Sequence, residues 1–242
     1  MSSPTPKKVI IIGATSGIGK EMALLYLQKG YSVGITGRRE MLLNEMKQKF
    51  PSQIFTACFD VRGENNIECL KTLIDEMGGV DIFIYNAGYG EPGETLNPEI
   101  EKRVYEINVK GFVDLTAYMF NYFLQEGHGQ IAATSSIASV KGLSLAPAYS
   151  ASKAFMSNYM EGLHMKARRL KANIHITDIQ PGFVKTKQAS NPRFWVASPQ
   201  KAAKQIIAAI EAKKWRAYIT KRWWLIAMLM KYMPSWLYHR IA

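Results

Sequence analysis

Short, nearly continuous apolar runs alternate along the chain with longer segments in which apolar residues recur at helical spacing. The runs fall at Lys8–Ile12, Tyr31–Thr36, Gln53–Phe59, Val80–Asn86, Gln130–Ser135 and Asn173–Gln180. Several are almost unbroken Val, Ile and Phe, the pattern of strands covered on both faces of a parallel sheet. Between and after them, residues 17–29, 39–49, 64–77, 98–125, 148–170 and 198–213 read as helices, and Trp215–Thr220 reads as a last strand. The alternation predicts an α/β fold: a doubly wound parallel sheet of Rossmann type with helices on both faces. No repeat, low-complexity tract or Gly/Ser linker interrupts it, so one domain over 1–242 is expected. Two long loops, 87–97 and 183–197, follow strands on the side where such sheets bind ligands.

Composition adds limits. A chain of 242 residues, 48% of them hydrophobic, can bury a core without disulfides or a structural metal. Two cysteines exclude a disulfide scaffold, and the four histidines have no ligand spacing, so no metal site is expected. The polar, Pro-containing start leads into Val9–Ile12, too short for a signal peptide, and no run approaches the roughly 18 apolar residues of a membrane span. A cytoplasmic protein is the expectation. The net charge of +12 is uneven: residues 187–242 hold eleven Lys or Arg against one acid, Glu211, and all five Trp. That region is expected to supply a substrate loop and a basic, Trp-rich C-terminal extension.

The first run leads into Gly13-Ala14-Thr15-Ser16-Gly17-Ile18-Gly19 and then a helix. Glycine at 13 permits a tight turn, and glycine at 17 and 19 lets the backbone approach a pyrophosphate at the helix N-terminus. A Gly-rich turn alone is weak evidence; a strand before it and a helix after it favour nucleotide binding over a plain strand–helix turn. The second strand ends Thr36-Gly37-Arg38-Arg39. An acid there would bind the ribose hydroxyl of NAD, whereas two guanidiniums suit the extra phosphate of NADP(H). Arg38 is the first candidate for that contact and Arg39 the second.

Tyr149 and Lys153 are four residues apart at the start of a helix and share its face. A nearby ammonium favours phenolate over phenol, so the pair can exchange a proton with a carbonyl oxygen. By itself Y-x-x-x-K is common. It is joined by Ser136 at the end of the fifth run, whose hydroxyl can hold the same oxygen, and by Asn108 in the segment 98–125.

Together these motifs resemble the short-chain dehydrogenases/reductases, whose glycine motif has this G-x-x-x-G-x-G spacing. The resemblance covers residues 7–186 and is loose beyond about 190. It implies a catalytic tetrad of Asn108, Ser136, Tyr149 and Lys153, with Asn108 supporting a proton relay to Lys153 and Lys153 also binding the nicotinamide ribose. It implies an adenine contact at Asp60 and Val61, a cofactor-lining turn at Asn86, Ala87 and Gly88, and a nicotinamide segment at Pro181, Gly182, Val184 and Thr186. Ile12 departs from the family's frequent Thr and removes one hydroxyl contact. The implied reaction is hydride transfer between NADP(H) and a carbonyl or secondary alcohol, with a homodimer or homotetramer as the implied assembly. A nucleotide-binding regulator without turnover is the alternative, which the presence of both Tyr149 and Lys153 disfavours.

The last 28 residues, 215–242, mix Trp, Tyr, Lys and Arg with the apolar run Trp223–Met230, and Pro234 opens a second short helix. Two readings stand: a cap on the substrate pocket or oligomer interface, and peripheral contact with a membrane surface. Nucleic-acid binding is not expected of so apolar a segment. A pocket lined by this region, with Phe183, Phe194 and Trp195, suits a bulky, apolar ketone.

Overall fold

The computed structural model describes residues 6–185 and 194–241. Among them, seven strands form one parallel sheet in the order β3-β2-β1-β4-β5-β6-β7. The strands are β1 Lys8–Ile12, β2 Ser32–Gly37, β3 Ile54–Cys58, β4 Ile82–Tyr85, β5 Gly129–Thr134, β6 Ile174–Pro181 and β7 Arg216–Ile219. The helices are α1 Gly17–Gln28, α2 Glu40–Lys49, α3 Asn66–Met77, α4 Pro98–Tyr105, α5 Gly111–Glu126, α6 Pro147–Arg169, α7 Pro199–Glu211, α8 Trp223–Tyr232 and α9 Ser235–Ile241.

The period of two along each strand sorts its side chains into two cores. Val9 and Ile11 of β1, with Ile82 and Ile84 of β4, pack toward α1, α2 and α7. Ile10, Ile12, Phe83 and Tyr85 pack on the other face, toward α3, α5 and α6. This is why the runs read as continuously apolar: both alternating sets are buried. On the second face, Phe112 sits edge-on between Tyr85 (5.3 Å) and Tyr159 (5.5 Å), joining sheet, α5 and α6.

The segment 98–125, predicted as one helix, is three pieces. Asn97 caps α4 by accepting from the Glu99 N–H, and a π-helical turn, Glu106–Lys110, then separates α4 from α5. Gly111 lets the third piece, α5, start against the loop after β3: a Cβ there would lie 2.5 Å from the Val61 carbonyl. Wide turns of this kind are frequent at functional sites, and this one carries Asn108.

The strand order reverses between β1 and β4, which places the ligand crevice beyond their C-terminal ends. The loops 13–16 and 86–97 open there. β7 pairs with β6, and α7 packs against α1, so much of the region after residue 198 belongs to the sheet and its layer.

Phe112→Ala should cost about 3–5 kcal/mol, because a fully buried ring that three elements share leaves a cavity they cannot close. Urea unfolding of the two proteins measures it.

Candidate active site

β1 ends in the glycine loop, and its turn is set by backbone geometry. Gly13 and Gly17 hold positive φ, 82° and 58°, conformations that favour glycine. A Cβ on Gly13 would stand 2.8 Å from the Ala87 Cα, so this loop and the loop after β4 are in direct contact. Asn86 locks them: its Nδ2 donates to the Gly13 carbonyl at 3.0 Å, and Thr134 at the end of β5 donates to its Oδ1 at 3.2 Å. Ala14 is buried, and Ile18 packs against the core. The loop thus presents backbone with no bulky side chain at its glycines, at the N-terminus of α1, which suits a diphosphate.

Ser16 precedes α1 but does not cap it with its side chain. Its hydroxyl accepts from Arg39 Nη2 at 2.7 Å, and Thr15 accepts from the same guanidinium. Arg39 therefore stands on the rim of the phosphate loop. Arg38 faces Asp60 instead, at 3.6 Å. Asp60 also accepts three side-chain hydrogen bonds from Arg62. Partial burial works to raise its carboxyl pKa, but the Arg62 bonds and the charges of Arg62 and Arg38 bring it below the usual range. The Val61 carbonyl accepts from buried Asn66 at 2.8 Å. The arrangement fits a dinucleotide: an open backbone cradle for the diphosphate and a guanidinium beside it.

Deeper in the crevice, the four residues proposed as a tetrad come close together through intermediaries. Ser136 follows β5; its Oγ accepts from the Ala138 N–H at 3.1 Å and lies within hydrogen-bonding reach of the Tyr149 phenol. Burial pushes the Tyr149 pKa up, and the Ser136 contact partly opposes this. Lys153 is buried one turn along α6, donating to the Thr134 carbonyl at 2.9 Å, with Nζ 5.7 Å from the Tyr149 ring centroid. Its pKa falls to about 8: burial lowers it and the charge of Asp178 works the other way. Asn108 is buried, not a solvated helix residue. It exchanges two 2.8 Å hydrogen bonds with the Tyr89 backbone and donates to Ser152 Oγ, which in turn donates to the Tyr149 carbonyl. Its link to Lys153 runs past Gly88, where a Cβ would lie 3.1 Å from Nζ and 3.6 Å from Asn108 Oδ1.

Pro181 ends β6, and the Gly182 N–H donates to the Ile219 carbonyl at 2.6 Å. A Cβ on Gly182 would collide with the Trp223 ring of α8. Val184 pairs with Ala197, closing the base of the loop between them. Thr186 lies outside the described residues. Phe183, Phe194 and Trp195 gather around Trp223 at centroid separations of 5.3, 5.4 and 5.9 Å.

Sequence reasoning missed Ser152, Gly90 and Asp178. Gly90 is needed because a Cβ would strike the Tyr149 ring. Asp178 is fully buried in β6, where Ser135, Ser157, Gln180 and Arg216 all donate to it. The signal was present: a carboxylate in the middle of an apolar strand requires partners.

The short chain dehydrogenase family model matches residues 7–196. An NADP-dependent 3-hydroxy acid dehydrogenase, YdfG, of Escherichia coli is 31% identical over 77% of this chain and 76% of its own. An uncharacterized oxidoreductase of Mycobacterium tuberculosis is 29% identical over 96% of this chain and 95% of its own. A crystal structure of a short-chain dehydrogenase from Streptomyces avermitilis superposes with a TM-score of 0.81 at 23% identity, covering 94% and 92% of the two chains. The chain belongs to the short-chain dehydrogenase/reductase family and is an oxidoreductase.

The Lys153 shift has a stability consequence. Its folded pKa lies below the ordinary lysine value, so between pH 8 and 10 the unfolded chain binds more protons than the folded one. Wild-type stability should therefore rise with pH across that window relative to Lys153→Met, by about 1 kcal/mol per pH unit. Urea unfolding of the cofactor-free pair checks this, and the difference cancels other titrating groups.

Proposed function

We propose that the protein is an NADP(H)-dependent reductase of bulky, apolar ketones. The observation that carries the reaction class is the proton-handling group itself: a half-buried tyrosine whose phenol is within hydrogen-bonding reach of a serine, beside a buried lysine. When bound, the nicotinamide supplies the hydride.

The chain's own residues do the rest. Ser136 donates to the reacting oxygen and orients it. Tyr149, kept protonated at neutral pH by its burial, gives its proton to that oxygen as negative charge develops there. The Lys153 ammonium stabilises the phenolate left behind. Asn108 holds Ser152 and the Tyr89 backbone, so it fixes the floor on which Tyr149 and Lys153 stand. A phenol held in its acid form fits reduction of a ketone.

Choice of cofactor rests on Arg39. Its guanidinium is already on Thr15 and Ser16, and a second cation, Arg38, adjoins it. An added phosphate on the adenine ribose would meet the Arg39 guanidinium, with the Arg38 charge close by. The relative named as NADP-dependent supports the same reading. The substrate class rests on the aromatic wall of Phe183, Phe194 and Trp195, each partly exposed around Trp223.

Tyr149→Phe should lower NADPH oxidation with a long-chain ketone about 10²–10⁴-fold, the usual worth of a positioned acid, while NADPH binding persists. Absorbance at 340 nm and cofactor titration measure the two. Retained turnover in Tyr149→Phe would refute the assignment, and equal turnover of small polar and long-chain ketones would refute the substrate class. Arg39→Ala should raise KM for NADPH about 10–100-fold and leave that for NADH nearly unchanged, the expected worth of a charged hydrogen-bond partner; initial rates with both cofactors decide it.

A further inference from the structure

Beyond the crevice, the C-terminal helices carry a surface that the reaction does not use. The helix α8, WWLIAMLMKY, is ten residues long and almost wholly apolar, yet only Trp223 and Ala227 are buried. The others divide by geometry. At about 100° per residue, Trp224, Leu225, Leu229 and Tyr232 share an arc of roughly 140° on the side away from Trp223 and Ala227. They are 49%, 57%, 58% and 75% exposed. Arg222 and Lys231 fall on the two flanks of that arc. In α9, Trp236 is 63% exposed and Leu237 also faces solvent, while Tyr238 is turned inward and donates to the Gly142 carbonyl at 2.6 Å. That bond fastens α9 to the protein and leaves Trp236 outward.

A solvent-facing helix normally presents polar residues, and an apolar patch rimmed by polar groups marks an interaction surface. The rim here has one sign. Lys221, Arg222, Lys231 and Arg240 border the patch, and no Asp or Glu follows Glu211 in the chain. Arg240 lies 5.8 Å from the Trp236 ring and Lys231 5.8 Å from the Tyr232 ring, so cations and aromatics are interleaved.

We propose that this face docks on an anionic lipid bilayer, with α8 and the start of α9 lying in the interfacial plane. Charge complementarity favours this occupant. A bilayer with acidic headgroups offers negative charge to the cations and acyl chains to the Trp and Leu side chains. A two-fold contact with a second copy sets the same patch against itself, bringing these four cations together with no carboxylate from the segment to pair them. Ten residues of helix span about 15 Å, half of the roughly 30 Å hydrocarbon core, so α8 rests in the interface and does not cross it.

The test is co-sedimentation of the full chain with vesicles of phosphatidylcholine, with and without phosphatidylglycerol, at low and high salt. The protein should sediment with the phosphatidylglycerol vesicles, less at high salt, with a blue shift of Trp emission. The Trp224→Ser/Leu229→Ser/Trp236→Ser variant should bind about a hundredfold more weakly. Lys221→Glu/Lys231→Glu alters only exposed positions and should bind about tenfold or more weakly to the anionic vesicles. Circular dichroism and the thermal midpoint establish that each variant is folded; if the triple variant is not, the charge-reversal pair decides. Wild-type protein left in the supernatant overturns the proposal, as does sedimentation unchanged in a folded variant. So does a dimer, seen by light scattering, that the triple substitution dissolves while vesicles are ignored, because the face then belongs to a second copy.

Discussion

An ammonium group buried behind the end of a sheet is the constraint around which this site is arranged. Desolvating Lys153 disfavours its charged form, so every neighbour must either satisfy it or leave room for it. The Thr134 carbonyl, released where β5 ends, accepts its hydrogen bond, and the Met156 sulfur lies at 3.4 Å. Gly88 leaves room: any side chain there would press on Nζ. The same economy recurs at Gly90, which lets the loop after β4 lie against the Tyr149 ring. Two glycines in one loop thus set how closely that loop can approach α6.

Asp178 is the other half of this arrangement. It lies in β6, its field supports the Lys153 charge, and it is itself fully buried. A carboxylate buried there needs hydrogen-bond and charge partners. Arg216 of β7 pairs with it at 3.1 Å, and Ser135, Ser157 and Gln180 supply further donors. These partners come from β5, α6, β6 and β7. The network therefore ties the strand bearing the serine to the helix bearing the tyrosine and lysine. Ser135, one residue before Ser136, belongs to this support.

The sheet was legible because parallel strands buried on both faces leave a continuous apolar signature; the six runs and the segment Trp215–Thr220 all correspond to strands. The glycine loop and the Tyr–Lys spacing were legible because their geometry is local. What escaped depends on contacts between distant segments. The π-helical turn at 106–110 adds hydrogen-bond slack without disturbing the apolar pattern of 98–125, so the break could not be read, nor could the burial of Asn108. Arg38 and Arg39 are equivalent as a sequence pair; only the twist of the chain after β2 turns one toward Asp60 and the other onto the phosphate loop. Gly182 reads as a turn residue, whereas its place is dictated by a tryptophan some forty residues later.

That contact links the C-terminal helices to the crevice. Trp223 fills the space over Gly182 and stacks with Phe194, so the inward face of α8 forms part of the wall beside the sheet ends. Tyr238 reaches the Gly142 carbonyl, and Lys141 lies 5.6 Å from its ring, tying α9 to the loop between Ser136 and Tyr149. The C-terminal segment is thus held at two points, Trp223 against Gly182 and Tyr238 on the Gly142 carbonyl. One face of α8 is committed to packing beside Gly182, and its other face is presented to the surroundings. If the substrate is the apolar ketone proposed above, apolar residues on both faces would serve one purpose: such a ketone would meet an apolar surface outside the crevice and the aromatic residues around Trp223 inside it.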